Sequence, residues 1–361
     1  MNFSVSPYLL YLASFGASLL ISVYSVRKIL SITTRRKIYD IPDKIRKIHG
    51  DGIPSLGGIG IFTGYVVAAA FFMYQKNWNF AIASSLILFF TGIYDDLANM
   101  RPSKKLLAQL IASFIAVYFA DIRFQSFYGA FGVNELPYWV SMVFTTLACT
   151  LFINVFNFID GIDGLAGYTA VIYLVLLAGL FAAMNDSSLA CISLSLAGAT
   201  IGLLVYNTAP AKIYMGDTGS MVLGFTIFLL VVLFILNYSG AGGLLVSQII
   251  HSRQGALMLG AAMLFYPVYD GLRVFALRMS KGISPFNADR SHLHYYMLDA
   301  GITHPAAVGL ISVANMLTIL LAWLLQDQNA VVCILSFFVV QSILLVAVFR
   351  LRQSKIRQGN P

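Results

Sequence analysis

The feature that most limits what this chain can fold into is a recurring apolar run about as long as a bilayer is thick. Such runs fall at 7–26, 56–74, 80–97, 104–120, 137–157, 165–184, 188–207, 219–237, 255–275, 303–325 and 329–350. A hydrocarbon core of about 30 Å takes about 20 helical residues to cross, at about 1.5 Å each. Lipid offers no partner to a backbone amide or carbonyl, so segments of this length must pair their own groups and be helices. The pattern predicts an all-α, polytopic integral membrane protein of about eleven transmembrane helices, built as one transmembrane domain over 1–361. Composition agrees. Charged residues are 11% of the 361, where a soluble domain carries about 25%. A water-soluble globular domain, a disordered chain and a disulfide scaffold are all excluded. Cys149, Cys191 and Cys333 lie within apolar runs at no close spacing, so they read as small buried hydrophobes. The first run has its basic residues after it and no small-residue cleavage site, so it reads as a spanning helix and not a cleaved leader.

The formal charge of +8 is placed as a membrane protein places it, and no nucleic-acid partner is expected. Arg27, Lys28, Arg35, Arg36, Lys37, Lys44, Arg46 and Lys47 follow the first run. Arg101, Lys104, Lys105, Lys212, Arg273, Arg278, Lys281 and Arg290 fall in alternate loops, and Arg350, Arg352, Lys355 and Arg357 in the tail. Of the 23 Lys and Arg, only Lys76, Arg123 and Arg253 fall on the other side. The positive-inside rule makes the rich side cytoplasmic. The expected location is the inner (plasma) membrane, with the N-terminus outside and the C-terminus and loops of interest in the cytoplasm.

The acids gather on that same side. Asp95 and Asp96 close an apolar run in FFTGIYDDLANMRPSKK. Asp160 and Asp163 recur in NVFNFIDGIDGLAG. Asp217 sits in Gly216-Asp217-Thr218-Gly219, a tight loop that opens a run. Asp289 stands in DRSHLHYY with Arg290, His292 and His294. A carboxylate at the membrane edge is costly unless paired or metal-bound, which marks it as functional. Several acids offered to one face repel one another without a cation, and hard oxygen donors suit Mg²⁺ or Mn²⁺. A helix N-terminus and nearby Lys, Arg and His suit phosphate. Together these are the parts of a phosphoryl-transfer site at a membrane surface. A secondary transporter is the rival from another class. Its acids would lie near the bilayer midplane in repeated halves, whereas these lie at one edge.

In order, HGDGIPSLGG (49–58), the Asp95-Asp96 pair, NVFNFIDGIDGLAG (154–167), GDTGS (216–220) and DRSHLH (289–294) give the chain a family likeness. It resembles the polyprenyl-phosphate N-acetylhexosamine-1-phosphate transferases, a family that includes phospho-N-acetylmuramoyl-pentapeptide transferase. The DRSHLH loop is similar to the branch that uses UDP-N-acetylglucosamine or a related UDP-hexosamine. Two positions depart from that branch: Tyr295 and Tyr296 stand where a further His often follows, and Ser55 where Arg often precedes Leu-Gly-Gly. The resemblance implies transfer of a sugar-1-phosphate from a UDP-N-acetylhexosamine to undecaprenyl phosphate, releasing UMP and starting a lipid-linked cell-envelope glycan. The muramoyl-pentapeptide substrate is the alternative within the family. It further implies Asp217 as the first metal ligand for Mg²⁺ or Mn²⁺, with Asn157 second. Asp95 is the candidate base toward the lipid phosphate, and Asp96 would hold Lys104 or Lys105 or touch the metal. Asp160 and Asp163 would orient substrate, contact the nucleotide or support the metal ligands from behind. Arg290, His292 and His294 would meet the diphosphate or sugar, and His49 with Lys47 the lipid phosphate. A homodimer in the bilayer is allowed by analogy.

Overall fold

A computed structural model describes residues 6–38, 52–72, 77–238, 244–284 and 289–357. His49 and Lys47, assigned above to the lipid phosphate, lie outside the described residues. Thirteen helices follow in order: α1 Pro7–Arg36, α2 Gly58–Phe72, α3 Trp78–Ala98, α4 Pro102–Phe119, α5 Tyr138–Phe158, α6 Leu165–Ala183, α7 Ser187–Asn207, α8 Gly216–Asn237, α9 Leu244–Ile249, α10 Arg253–Ser280, α11 Leu293–Asp299, α12 His304–Leu324 and α13 Ala330–Arg357. The protein is all-α and polytopic. Each of the eleven apolar runs carries a helix. Among the described residues nine helices are long and apolar enough to cross a bilayer. The other two fall short for different reasons. α2 has only 15 described residues. α4 has 18, but Lys104, Lys105 and Gln109 dilute its apolar content. The short helices α9 and α11 were not expected from the runs.

The bundle is built around α8. Every residue from Thr218 to Ile235 is buried, as a helix that is apolar all round requires. It packs against α2, α3, α5, α6, α7 and α10. The outer helices show the reverse arrangement. α1 buries the small side chains Ser14, Ser18 and Ser22 against its neighbours while Leu9, Leu12 and Leu20 are exposed. Ser22 Oγ donates to the Ala199 carbonyl at 2.7 Å. Lipid is as apolar as leucine, so close packing and hydrogen bonds hold these helices together, and small residues permit both.

The same device brings α3 onto the start of α8. A Cβ on Gly92 would fall 2.4 Å from Thr218 Cα, a backbone atom that cannot turn aside. Substitution of Gly92 by Ala must therefore separate α3 from α8 at the level of the acids. We expect a loss of about 1–3 kcal/mol, read as a lower thermal midpoint in detergent. Gly179→Ala, where a Cβ meets nothing within 4 Å, leaves the midpoint unchanged.

Candidate active site

The N-terminus of α8 organises the site. Gly216 has φ of +71°, and a Cβ there would lie 2.0 Å from the Ser55 carbonyl oxygen and 2.6 Å from Asp96 Oδ2. Only glycine gives both the backbone angle and the room. The close approach lets two loops pair: Tyr214 N donates to Pro54 O at 2.8 Å, Gly57 N to Tyr214 O at 3.0 Å and Gly58 N to Met215 O at 2.8 Å. The free amides of the first turn of α8 then meet Asp96 at the end of α3. Asp217 N and Thr218 N donate to its two oxygens at 2.8 and 3.1 Å, and Thr218 Oγ1 donates at 2.6 Å. A carboxylate from one helix thus caps another, where the positive end of the helix favours it.

Around that junction four elements bring polar groups together. Lys105, from the first turn of α4, places Nζ 3.0 Å from Asp95 Oδ2 and also pairs with Asp217 Oδ2. Asp95 accepts as well from the Met100 amide at 2.5 Å. Asn157, at the end of α5, donates to Asp217 Oδ1 at 2.6 Å and to Ser220 Oγ at 2.7 Å. The side chains of Asp95, Lys105 and Asp217 are 15%, 17% and 22% exposed, so the cluster is recessed but open. Asp95, and not Asp96, holds the lysine, and Lys105 is the lysine held. Lys104 is exposed.

The loop after α5 adds Asp160. Burial pushes its carboxyl well above the usual carboxylate range, and Asp217, Asp96 and Asp163 push it further. Three acids acting on a fourth is the signature of a site short of positive charge. Asp163 goes the other way. Burial would raise it, but His304 and the Ala211 amide outweigh burial and hold it below the usual range. The Ala211 amide donates to Asp163 Oδ2 at 3.1 Å, and His304 Nδ1 lies 3.6 Å from the same oxygen. Neither contact was foreseen from the sequence, which left His304 unassigned.

The DRSHLH segment is held by α10. Asp270, fully buried within that helix, stands 2.8 Å from His292 Nδ1 and accepts from the Leu293 amide at 3.2 Å. Arg273 Nη2 donates to Asp270 at 2.6 Å and to the Ser291 carbonyl at 2.7 Å. Asp289 takes a two-pronged bond from Arg278 at 2.9 and 3.2 Å. That pairing and its bonds from Ser291 overcome burial and hold its carboxyl down to about 2. His294 is fully buried, and its ring lies parallel to that of His292 with centroids 5.5 Å apart. A Cβ on Gly161 would fall 2.2 Å from His294 Nε2 and 2.9 Å from the Tyr295 hydroxyl. The glycine between Asp160 and Asp163 is therefore what lets the histidine segment reach the acids.

Arg290 does not point free into the site. It pairs with Asp299 at 3.1 Å and its guanidinium lies 4.9 Å from the Tyr295 ring centroid. Arg352, near the end of α13, takes the other Asp299 oxygen at 3.0 Å and covers the Tyr296 ring at 4.4 Å. The two tyrosines that depart from the family pattern are thus each stacked beneath an arginine. Asp270 could have been flagged from the sequence as an acid inside an apolar run. Nothing in the sequence singled out Arg352 from the other basic residues of the tail.

The site's parts are those of an enzyme that handles phosphate beside a bilayer, and comparison with known proteins agrees. The model of glycosyl transferase family 4 matches residues 78–235, which span α3 to α8 and so contain Asp95, Asn157 and Asp217. A probable undecaprenyl-phosphate N-acetylglucosaminyl 1-phosphate transferase of Bacillus subtilis is 31% identical over 270 residues, 73% of this chain and 70% of the relative. A decaprenyl-phosphate N-acetylglucosaminephosphotransferase of Mycobacterium leprae is 27% identical over 328 residues, 83% of this chain and 80% of the relative. An undecaprenyl-phosphate alpha-N-acetylglucosaminyl 1-phosphate transferase of Escherichia coli is 27% identical over 275 residues, with coverages of 74% and 71%. The chain belongs to glycosyl transferase family 4 and is a membrane-embedded phosphotransferase.

Removing one member of a buried charge network leaves the others unpaired, at a cost of about 3–5 kcal/mol. Asp270→Ala strands Arg273 and frees His292, so it should lower the thermal midpoint sharply and speed thiol labelling of a cysteine placed at Ser291. Arg352→Ala, in a half-open pair, should cost about 1 kcal/mol and labelling should change less. Equal effects of the two would contradict the bracing described here.

Proposed function

We propose that this protein transfers N-acetylglucosamine-1-phosphate from UDP-N-acetylglucosamine to a polyprenyl phosphate, undecaprenyl phosphate being the foremost acceptor, and releases UMP. The observation that carries the reading is the meeting of Asp95, Asp96, Asn157, Asp217 and Lys105, from α3, α4, α5 and α8, at one end of the bundle. The names of the relatives support the polyprenyl phosphate and the sugar. The skew of basic residues supports a cytoplasmic site with the N-terminus outside, and the location is then the inner (plasma) membrane.

In the reaction, an oxygen of the lipid phosphate forms a bond to the sugar-bearing phosphorus of the donor. The bond from that phosphorus to the bridging oxygen breaks, and UMP leaves with the electron pair. One phosphoanhydride replaces another, so the work of the protein is to align the groups and to neutralise charge. Lys105 supplies a positive charge among the acids. Asp95, held by that lysine and the Met100 amide, is an acceptor for any proton on the incoming lipid phosphate. A phosphate monoester with a second pKa near 6 is largely dianionic at neutral pH, so this acceptor assists more than it drives. Asp96 keeps α8 in register and so fixes the direction of Asp217. His292 and His294, in the segment held against Gly161, are the proposed donors to diphosphate or sugar oxygens, and both are buried before substrate is bound.

The residues fit a divalent ion. Mg²⁺ takes oxygen donors and keeps several water and substrate oxygens in its shell, so it needs few ligands from the protein. Asp217 would hold it, with Asp95 and the Asn157 side-chain oxygen as further donors. When bound, Mg²⁺ or Mn²⁺ neutralises the diphosphate and polarises the phosphorus–oxygen bonds.

Purified protein given undecaprenyl phosphate and a panel of UDP-sugars should release UMP with UDP-N-acetylglucosamine first. Release only with another sugar would overturn the donor. Turnover should vanish with excess EDTA and return with Mg²⁺ or Mn²⁺. Asp217→Asn should lower it by about 10²–10³-fold while the thermal midpoint stays near that of the parent. A cysteine at Ser291 should resist a membrane-impermeant thiol reagent in sealed cells, and ready labelling would invert the orientation.

A further inference from the structure

The face of the bundle opposite the acids carries a polar cleft of about 920 Å³. The 18-residue α4 and 21-residue α5 separate it from Lys105 and Asn157, each helix about 27–32 Å long. One wall is a hairpin over 125–136, closed by Phe127 N to Asn134 O at 2.8 Å and Leu136 N to Gln125 O at 2.9 Å. Its turn holds Tyr128 at φ +50° and Phe131 at φ +56°, left-handed angles that cost non-glycine residues energy and cluster where a site needs them. The other wall is the start of α10, with Ser252, Arg253 and Gln254.

Two of the three basic residues on this sparsely charged side, Arg123 and Arg253, line this one cleft. Arg123 is committed: it donates to Asp121 at 2.7 Å and to Ser141 at 3.0 Å, and its guanidinium lies 4.5 Å from the Tyr138 ring. Arg253 is exposed and lies 5.6 Å from the Tyr128 ring centroid. No carboxylate among the described residues forms an ion pair with it. Its placement goes against two general rules. A cation is disfavoured in the first turn of a helix, and basic residues are disfavoured on the face remote from the cytoplasm. An anion in the cleft relieves both.

Aromatic residues beside the cleft point to headgroup depth. Tyr138 and Trp139 open α5 beside it and are 42% and 68% exposed, the position that amphipathic aromatic rings take at a membrane–water boundary. We propose that this cleft is a binding site for the phosphate-bearing headgroup of a phospholipid in the leaflet remote from the active site, with the Arg253 guanidinium as its phosphate partner. A guanidinium offers a planar fork to phosphate. Glu135, on the hairpin wall, gives an acceptor for the ammonium or hydroxyls of the same headgroup.

Free phosphate shares this chemistry, so the experiment separates the two sources. The full chain, purified in detergent, is titrated with phosphatidylglycerol or phosphatidylethanolamine and followed by native mass spectrometry. Inorganic phosphate is titrated in parallel and followed by thermal shift. We expect one phospholipid retained by the parent after other lipids are stripped. Retention should be weakened about tenfold or more in Arg253→Gln and less in Arg253→Lys, since a charge-assisted contact is lost or reduced. UMP release should match the parent in both variants, which reports that they are folded. Equal phospholipid retention by parent and Arg253→Gln would overturn the proposal. So would saturable stabilisation by inorganic phosphate with no lipid retained, since the anion would then be soluble.

Discussion

Among the described residues, one ammonium group joins the acids from separate helices. Lys105 Nζ bridges Asp95 and Asp217, while Asp96 and Asp160 add their charges nearby. Carboxylates gathered in a recess of low dielectric repel one another, and a cation between those of α3 and α8 offsets part of that repulsion. The lysine supplies one such charge. Among the described residues it leaves the cluster acidic, which suits the proposed divalent ion.

The rest of the fold keeps these ends in place. α8 is buried along its length and carries Asp217 at its first turn. Its level is set by the Asp96 cap and by close approach to α2 and α3 through Gly58, Gly92 and Gly219. A buried central helix with an aspartate in its first turn fixes the direction of that carboxylate. Around it the histidine segment is tied from behind by Asp270, Arg273 and Arg278, and from the side by Arg352 through Asp299. The charged tail of α13 therefore does more than mark orientation.

Much of this was legible in the sequence, for physical reasons. Apolar runs long enough to span must be helices, so all eleven appear as helices. α4 shows the limit, since run length alone does not weigh the lysines at its start. Acids at the ends of apolar runs are costly, so Asp95, Asp160 and Asp217 stood out. What spacing could not show was which side chain faces which. Adjacent residues on a helix point about 100° apart, and this alone separates Lys105, turned inward, from Lys104, turned to solvent. The same rotation gives Asp95 the lysine and Asp96 the cap of α8. Partners across the bundle, such as Asp270 for His292, His304 for Asp163 and Arg352 for Asp299, are set by packing between distant helices, and the sequence carries no local sign of them. The outer cleft was hidden for the same reason, because Arg123 and Arg253 meet only once α4 and α10 are assembled.

The most direct test of the central claim is Mn²⁺ binding to the purified protein in the presence of UDP, followed by electron paramagnetic resonance. We expect one bound ion, lost in Asp217→Asn and held more tightly in Lys105→Met, where the competing ammonium is gone. Undiminished binding in Asp217→Asn, or weaker binding in Lys105→Met, would contradict the claim.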